Sequence, residues 1–411
     1  HLKGTLNKVL RIDSIKLPPE AGMAELAAEA ARLLRVREKD ILSLRLLRRS
    51  VDAREEVRLV YTVEVSMKEE AAVLRRCRSR KVSRAQPAPA YVPPSPLPMP
   101  ETPPVVVGAG PAGLFAALVL AWAGLRPILL ERGRPVEQRA ADVERFWATG
   151  ELDLTSNVQF GEGGAGAFSD GKLNTGTRDP RHRFILETLV SFGAPEDILI
   201  DAKPHVGTDY LHIALVELRK KLLTLGADIR FESRLADLDI RDGALAGITV
   251  EGPEGPYTLP CSQLVLCPGH SARDTFAMLH ARGVAMEAKP FAVGVRIEHR
   301  QADCDAAQYR QYAGHPGLPA STYKLSCHLP NGRAAYSFCV CPGGQVVAAA
   351  SEESRVVTNG MSEFARDQEN INGGLLVNVT PEDYGGGRDP LAGIAFQRRL
   401  EAAAYDLGGG G

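Results

Sequence analysis

Residues 104–133 carry the clearest pattern of apolar and turn-forming positions in the chain. An apolar run at 105–107 leads into a glycine-rich turn, an apolar stretch at 114–123 follows, and a second run at 127–130 ends at Glu131. Short apolar runs bounded by glycine or proline predict buried strands, and the longer stretch between them predicts a helix. The pattern therefore predicts a β-α-β unit with two parallel strands.

The first 84 residues follow a different pattern and predict a separate small module. The predicted strands lie at 9–12, 41–47 and 57–65, and the predicted helices lie at 23–34 and 69–77. The order β-α-β-β-α is that of a ferredoxin-like α+β module, although the pattern leaves its last strand unclear.

The remaining pattern divides the chain into domains. Residues 85–104 contain nine prolines, which exclude a central strand and favour an extended spacer. Helical spacing covers 210–225, strands flank the Asp242-Gly243 turn, and a further apolar strand lies at 263–266. We predict an α/β chain with a module at 1–84, a linker at 85–104, a Rossmann-like domain at 105–275 and an inserted, mixed β-rich substrate domain at 276–411.

The glycine-rich turn adds candidate chemistry to the β-α-β unit. Gly108 allows a tight turn, Gly110 lets the backbone approach a pyrophosphate, and Gly113 lets the helix pack against the strand. Pro111 and Ala112 lie between them, where the helix N-terminus favours an anion. A carboxylate at the end of the second strand can accept a hydrogen bond from a ribose hydroxyl. The unit is therefore predicted to bind a dinucleotide, and its glycines and proline argue against a membrane span.

Charge and cysteine content change the picture in two ways. The net charge is −1, but residues 1–84 hold 20 basic and 12 acidic side chains. This module could therefore bind RNA or an acidic partner, although scattered arginines more often form a solvated face. Seven cysteines do not indicate a disulfide framework, so we expect a cytoplasmic protein. The cysteine and histidine spacing predicts no metal site.

Longer stretches resemble a bacterial family called NAD(FAD)-utilising dehydrogenases, within the glutathione-reductase-like superfamily of flavoproteins. These stretches are NVQFGEGGAGAFSDGKLNTG (157–176), KPHVGTD (203–209), PGHSARDTF (268–276), KPFAVGVRIEH (289–299) and YSFCVCPGG (336–344). The resemblance covers nearly the whole chain. It implies that the dinucleotide is FAD, and that NAD(P)H is an electron partner.

The resemblance also implies FAD-binding residues beyond the glycine turn. Glu131 and Arg132 would lie at the adenosine ribose, and Pro268 and Gly269 would end a second FAD strand. The glycine loop would follow the pyrophosphate towards the flavin; its candidate residues are Gly163, Gly164, Ala165 and Gly166. Proteins of this superfamily close the FAD site with a C-terminal segment that we do not find before residue 411, so we expect a truncated chain.

Four further positions are candidates for chemistry. Lys172 could stabilise a reduced, anionic flavin, and His270 could transfer protons or instead order a turn. Arg296 could bind a substrate carboxylate or form a structural ion pair. Cys339 and Cys341 would share one face of a straight strand about 6.5–7 Å apart, which favours buried structural thiols over a disulfide.

The sequence thus predicts an FAD-dependent oxidoreductase that transfers a hydride through its flavin, with an unidentified small organic substrate. Two other functions stay open. One is a flavoprotein that binds or acts on RNA through residues 1–84, and the other is a non-catalytic FAD-binding redox sensor.

Overall fold

The computed structural model describes residues 9–77, 79–86, 90–175, 177 and 179–410. Residues 1–8 of the predicted module, 87–89 of the predicted linker, Gly176 of the glycine-rich stretch and the terminal Gly411 lie outside the described residues. Among the described residues, the helices are α1 (Met23–Leu34), α2 (Glu70–Arg76), α3 (Pro111–Trp122), α4 (Val136–Thr149), α5 (Arg181–Ser191), α6 (Thr208–Thr224), α7 (Arg273–Ala281), α8 (Gln301–Tyr309) and α9 (Ala392–Leu407).

The described strands form four sheets. They are β1 (Val9–Leu17), β2 (Ile41–Asp52), β3 (Arg58–Met67), β4 (Val82–Arg84), β5 (Val105–Val107), β6 (Ile128–Leu130), β7 (Asp228–Arg230), β8 (Arg234–Arg241), β9 (Ala244–Gly252), β10 (Gly255–Pro260), β11 (Leu264–Leu266), β12 (Phe291–Arg300), β13 (Ser326–His328), β14 (Ala334–Ala348), β15 (Thr358–Met361) and β16 (Asn370–Val379). The chain divides into two compact units, which are considered separately.

The first unit contains the N-terminal module. Its sheet has the order β2-β3-β1-β4, and every neighbouring pair is antiparallel. The inward faces of these strands and of α1 form a core around residues such as Leu10, Ile12, Leu26 and Val63. The fourth strand, which the sequence pattern left unclear, is the three-residue β4, too short to show an alternation of its own.

Two later segments also belong to the first unit, namely 172–206 and 300–321. The Arg49 guanidinium donates to both carboxylate oxygens of Asp201, and the backbones of Arg49 and Ala202 are hydrogen-bonded. These contacts join residues about 150 positions apart, which a local sequence pattern cannot reveal. The first unit therefore contains the N-terminal module together with these two later segments.

The second unit contains the predicted β-α-β unit. Strands β5 and β6 are parallel, in the register Val105 to Ile128, and the sheet has the order β11-β5-β6-β7. Helix α3 begins at Pro111 rather than at 114, because proline is well suited to the first helical position. Strands β8 and β9 flank the predicted Asp242-Gly243 turn, where both residues have positive φ angles.

The C-terminal part of this unit is rich in β-strands. Its sheet has the order β12-β16-β14-β13, and β15 pairs with β14. Helix α9 follows the last strand. Within the described ranges, no helix combines the length and the apolar character that crossing a bilayer requires.

Candidate FAD-binding site

A cleft of about 340 Å³ opens at the carboxyl ends of strands β5, β6 and β11. This is the edge at which open α/β sheets bind ligands. The structure brings most of the predicted site residues together here: Gly108, Gly110, Pro111, Ala112, Glu131, Arg132, Gly164, Ala165, Pro268, Gly269 and His270. All of them belong to the second unit.

The glycine turn at the base of the cleft requires two of its glycines. Gly108 has a φ angle of +97°, and a Cβ there would lie 2.2 Å from the carbonyl oxygen of Cys267. A Cβ on Gly113 would lie 1.8 Å from the carbonyl oxygen of Gly108. Gly113 therefore faces the preceding strand and does not itself line the cleft, which matches its predicted packing role.

The N-terminus of α3 is open to an anion. Gly110 is the N-cap residue, and no described side chain caps the helix. The first backbone N–H groups of a helix lack partners within it, and the helix dipole adds a partial positive charge. Because Gly110 and Ala112 line the cleft, a pyrophosphate there would meet their N–H groups; Pro111 lines it too but has no N–H to donate.

Glu131 is buried at the end of β6, and its carboxylate organises the cleft. One oxygen, Oε2, accepts a hydrogen bond from the N–H of Ala109 at 2.7 Å. The other, Oε1, accepts from Gly133 at 2.9 Å and from Gly161 at 3.0 Å. A carboxylate offers about four acceptor positions, so one position on Oε2 is left for a ribose hydroxyl. The arrangement fits the adenosine half of FAD.

The glycine-rich loop contributes only part of the predicted lining. Gly164 and Ala165 line the cleft, whereas Gly163 and Gly166 are not among the described lining residues. The N–H of Gly163 donates instead to the carbonyl of Ala109 at 2.8 Å. Gly163 therefore ties the loop to the glycine turn.

Arg139 of α4 positions this loop, and the sequence analysis missed it. Its side chain is fully buried and donates to four backbone carbonyls, those of Asn157, Val158, Glu162 and Gly164. Burial lowers the pKa of Arg139 to about 10, while Glu131 and Glu162 oppose that shift, so the group is charged at neutral pH. The only signal in the sequence is an arginine within an amphipathic helix, which normally indicates a solvated side chain.

Arg132 and His270 occupy the wall of the cleft. The Arg132 guanidinium donates to Asp274 and Thr275 and lies 4.2 Å from the centre of the Phe160 ring. Desolvation by the surrounding protein, and then the nearby Arg273, lower the pKa of the His270 imidazole, while Glu401 opposes that shift. Its ring is therefore neutral at pH 7 and can accept a proton.

Two other candidates, Lys172 and Arg296, make contacts within their own units. Lys172 forms a backbone bridge with His205 in the first unit, and its role beside a flavin stays a prediction. Arg296 donates to the side-chain oxygen of Asn372 at 2.6 Å and to the carbonyl of Cys339 at 3.3 Å. Arg296 thus forms hydrogen bonds within the β-rich sheet, and its binding of a substrate carboxylate stays a prediction.

Comparisons with known proteins support an FAD-binding domain in this part of the chain. A family model described as an FAD binding domain matches residues 104–170, and one described as the C-terminal domain of an FAD-dependent protein matches residues 290–411. A domain of unknown function matches residues 9–66.

One relative decides the family. An uncharacterized protein of Clostridium beijerinckii is 44% identical over 404 residues, which cover 98% of this chain and 75% of that protein. The chain belongs to the family of this protein. Together with the matched FAD domains, this supports an FAD-dependent oxidoreductase of mixed α/β structure with a β-rich C-terminal domain.

More distant likenesses cover smaller parts. A Streptomyces rimosus protein, 12-dehydrotetracycline 5-monooxygenase/anhydrotetracycline 6-monooxygenase, is 30% identical over 174 residues, which cover 40% of this chain and 30% of that enzyme. A structure of aklavinone-11 hydroxylase with FAD and aklavinone is 16% identical, with a TM-score of 0.28 over 70% of this chain and 47% of that one. That score is too low to support an argument about substrate or mechanism.

Two of the glycines allow folding and FAD binding to be tested separately. Gly113→Ala places a methyl group against the backbone of Gly108, so we expect a loss of about 3 kcal/mol or more in the free energy of unfolding. In Gly110→Ala the nearest atom to the new methyl is the Gly164 Cα at 3.7 Å, so the fold should tolerate it. Because that methyl group would project from the part of the cleft wall that a pyrophosphate contacts, the affinity for FAD should fall about tenfold or more. Urea unfolding and FAD titration of both variants check the prediction; equal FAD affinity in Gly110→Ala and wild type would contradict it.

Glu162 gives a prediction about pH. Its buried carboxylate accepts from the Val136 N–H and from Arg219, yet burial dominates and raises its pKa to about 7 from an ordinary value of 4.5. The folded state therefore binds this proton more tightly than the unfolded state. The stability that protonated Glu162 contributes is complete below pH 4.5 and is lost as the pH rises through 7.

The size of this loss is on the order of 3 kcal/mol. We expect Glu162→Gln to gain melting temperature relative to wild type between pH 5 and pH 8. Glu151→Gln, a change at an exposed carboxylate, should follow wild type and serves as the control. Parallel melting curves for wild type and Glu162→Gln across this range would show that the carboxylate is not protonated in the fold.

Proposed function

We propose that this chain binds FAD in the cleft and belongs to a dehydrogenase that exchanges a hydride with NAD(P)H and with a small organic substrate. The observation that carries the proposal is the cleft itself, where the glycine turn, the open N-terminus of α3 and the buried Glu131 converge. When bound, FAD supplies two-electron hydride chemistry.

The residues of the chain have distinct parts in this proposal. The α3 N-terminus and the backbone of the 161–165 loop bind the pyrophosphate, and Glu131 accepts a ribose hydroxyl. Arg139 fixes the position of the loop by donating hydrogen bonds to its backbone carbonyls. His270, neutral at pH 7, exchanges a proton with the substrate at the cleft mouth.

A second candidate is a monooxygenase, which is favoured by the 30% identity to the tetracycline enzyme. The RNA alternative is less well supported, because many basic side chains of the N-terminal module already pair with acids. These pairs include Arg32 with Glu29, Arg37 with Asp40, Arg45 with Glu64, Arg54 with Asp52 and Arg84 with Glu70.

Anaerobic reduction of the intact protein by NADH or NADPH, followed by flavin absorbance, tests the proposal. Bleaching by either nucleotide is expected, and the absence of bleaching with both would overturn the dehydrogenase assignment. Oxygen-dependent hydroxylation of an added aromatic substrate would instead favour the monooxygenase.

For His270→Asn, we expect unchanged bleaching and a flattened pH dependence of flavin reoxidation by a quinone. An unchanged pH dependence would show that His270 does not take part in proton transfer.

A further inference from the structure

Strand β14 bends at the sequence Cys339-Val340-Cys341. Phe338 pairs with Gly374 of β16 and Cys341 pairs with Asn372, so three steps along β14 oppose two along β16. Such a register shift is a β-bulge, which inserts one residue and kinks the strand. The straight-strand spacing expected from the sequence therefore does not hold at these cysteines.

At the bulge, the side chain of Cys341 turns back to the backbone of Cys339. Cys339 has a φ angle of +45°, a left-handed conformation that is uncommon for residues other than glycine. The Cys341 thiol donates to the carbonyl of Cys339, with its Sγ 3.4 Å from that oxygen. A disulfide between residues two apart needs local bending of this kind.

The two thiols differ in their access to solvent. Cys341 is fully buried, whereas Cys339 is half-buried and follows Phe338, whose side chain is 60% exposed. Only Cys339 is therefore placed to meet a reagent from solution, and Cys341 lies behind it.

A positive charge accompanies the pair. The Arg296 guanidinium donates to the Cys339 carbonyl. The guanidinium and the buried sulfur both lie next to Gly360. A Cβ on that glycine would be 2.5 Å from Nη1 of Arg296 and 2.8 Å from Sγ of Cys341. These distances place the cation beside the Cys341 sulfur and the Cys339 carbonyl, and a neighbouring cation favours the thiolate, which is the reactive form of cysteine.

We propose that Cys339 and Cys341 form a redox-active dithiol that undergoes exchange with low-molecular-weight organic disulfides. Cys339 is the attacking residue and Cys341 the resolving residue. The proposal goes beyond the proposed function and does not depend on bound FAD.

The exchange balances in two steps. The Cys339 thiolate, having lost its proton to solvent, attacks one sulfur of the disulfide; the S–S bond breaks and one thiol leaves with a proton from solvent. Cys341 then loses its proton and attacks the Cys339 sulfur, displacing the second thiol. The protein loses two electrons and two protons, and the disulfide becomes two thiols.

Peptide mass spectrometry of the intact, reduced protein after incubation with oxidised glutathione tests the proposal. Both cysteines lie in one tryptic peptide, 334–355, and Cys327 lies in a separate one, 325–333. We expect peptide 334–355 to lose two hydrogen atoms, with no glutathione retained. In Cys341→Ser the same peptide should retain one glutathione on Cys339, and in Cys339→Ser Cys341 should stay reduced because it is buried.

Cys327→Ser is the matched control, because it removes an exposed thiol on β13 and should leave peptide 334–355 oxidised as in wild type. The melting temperature of each variant establishes that the fold is intact. A wild-type peptide that remains reduced, or that keeps glutathione on Cys339 without closing the disulfide, would overturn the proposal. Either result would mean that the bulge serves only the hydrogen bond from Arg296.

Discussion

Replacing Glu131 with alanine should abolish FAD binding and lower the free energy of unfolding by about 3 kcal/mol or more. The carboxylate accepts hydrogen bonds from three buried backbone amides, those of Ala109, Gly133 and Gly161. Hydrogen bonds to a charged group contribute about 1.5–3 kcal/mol each, and a buried donor without a partner carries a desolvation cost. The glycine turn and the 161–165 loop both lose their shared anchor.

Urea unfolding and FAD titration measure the two effects of this change. Glu144→Ala on α4 is the control; it removes an exposed carboxylate and should change stability by less than about 0.5 kcal/mol. Glu131→Gln should fall between wild type and Glu131→Ala, because an amide keeps one acceptor oxygen but turns its NH₂ towards a backbone donor. Wild-type FAD affinity in Glu131→Ala would contradict the assigned role.

Replacing Arg139 with methionine should destabilise the protein by about 4 kcal/mol or more. The change leaves four carbonyls of the 157–164 segment without the donors they have in the native fold. It also removes the positive charge that favours the buried carboxylates Glu131 and Glu162. Removing one partner from a buried charged network costs about 3–5 kcal/mol.

Two other arginine variants set the scale for this prediction. Arg145→Met, on the same helix, removes a half-exposed guanidinium from the buried Asp142, which keeps its pair with Arg134, and should cost at most about 1 kcal/mol. Arg139→Lys keeps a charge but offers three donors instead of five, so its stability should lie between Arg139→Met and wild type. Equal urea midpoints for Arg139→Met and Arg145→Met would show that the buried guanidinium does not hold the loop.

Local chemistry explains which parts of the site the sequence could predict. Gly108, Gly113 and Glu131 lie within one β-α-β unit. Their positions along the chain therefore determine where they lie in the folded unit. Pro268 and Gly269, by contrast, are expected only from the family resemblance; they reach this edge because β11 lies parallel to β5 and ends beside it.

Contacts between distant segments explain what the sequence could not predict. Arg139 bonds to carbonyls 18 to 25 positions away, and backbone carbonyls leave no trace in a side-chain pattern. Arg296 donates to Asn372 across 76 positions, and Arg49 donates to Asp201 across 152. These partners are known only once the fold brings the segments together. The bulge at Cys339 likewise depends on the register with β16, which neither strand encodes by itself.

Titration of the FAD-free intact protein with FAD, with ADP as competitor, tests the central claim most directly. We expect one FAD per chain, displacement of FAD by ADP because the cleft binds the adenosine diphosphate half, and weaker binding of both ligands by Gly110→Ala at unchanged stability. Failure of folded wild-type protein to bind FAD, or FAD binding that ADP and Gly110→Ala both leave unaffected, would contradict the placement of the cofactor in this cleft.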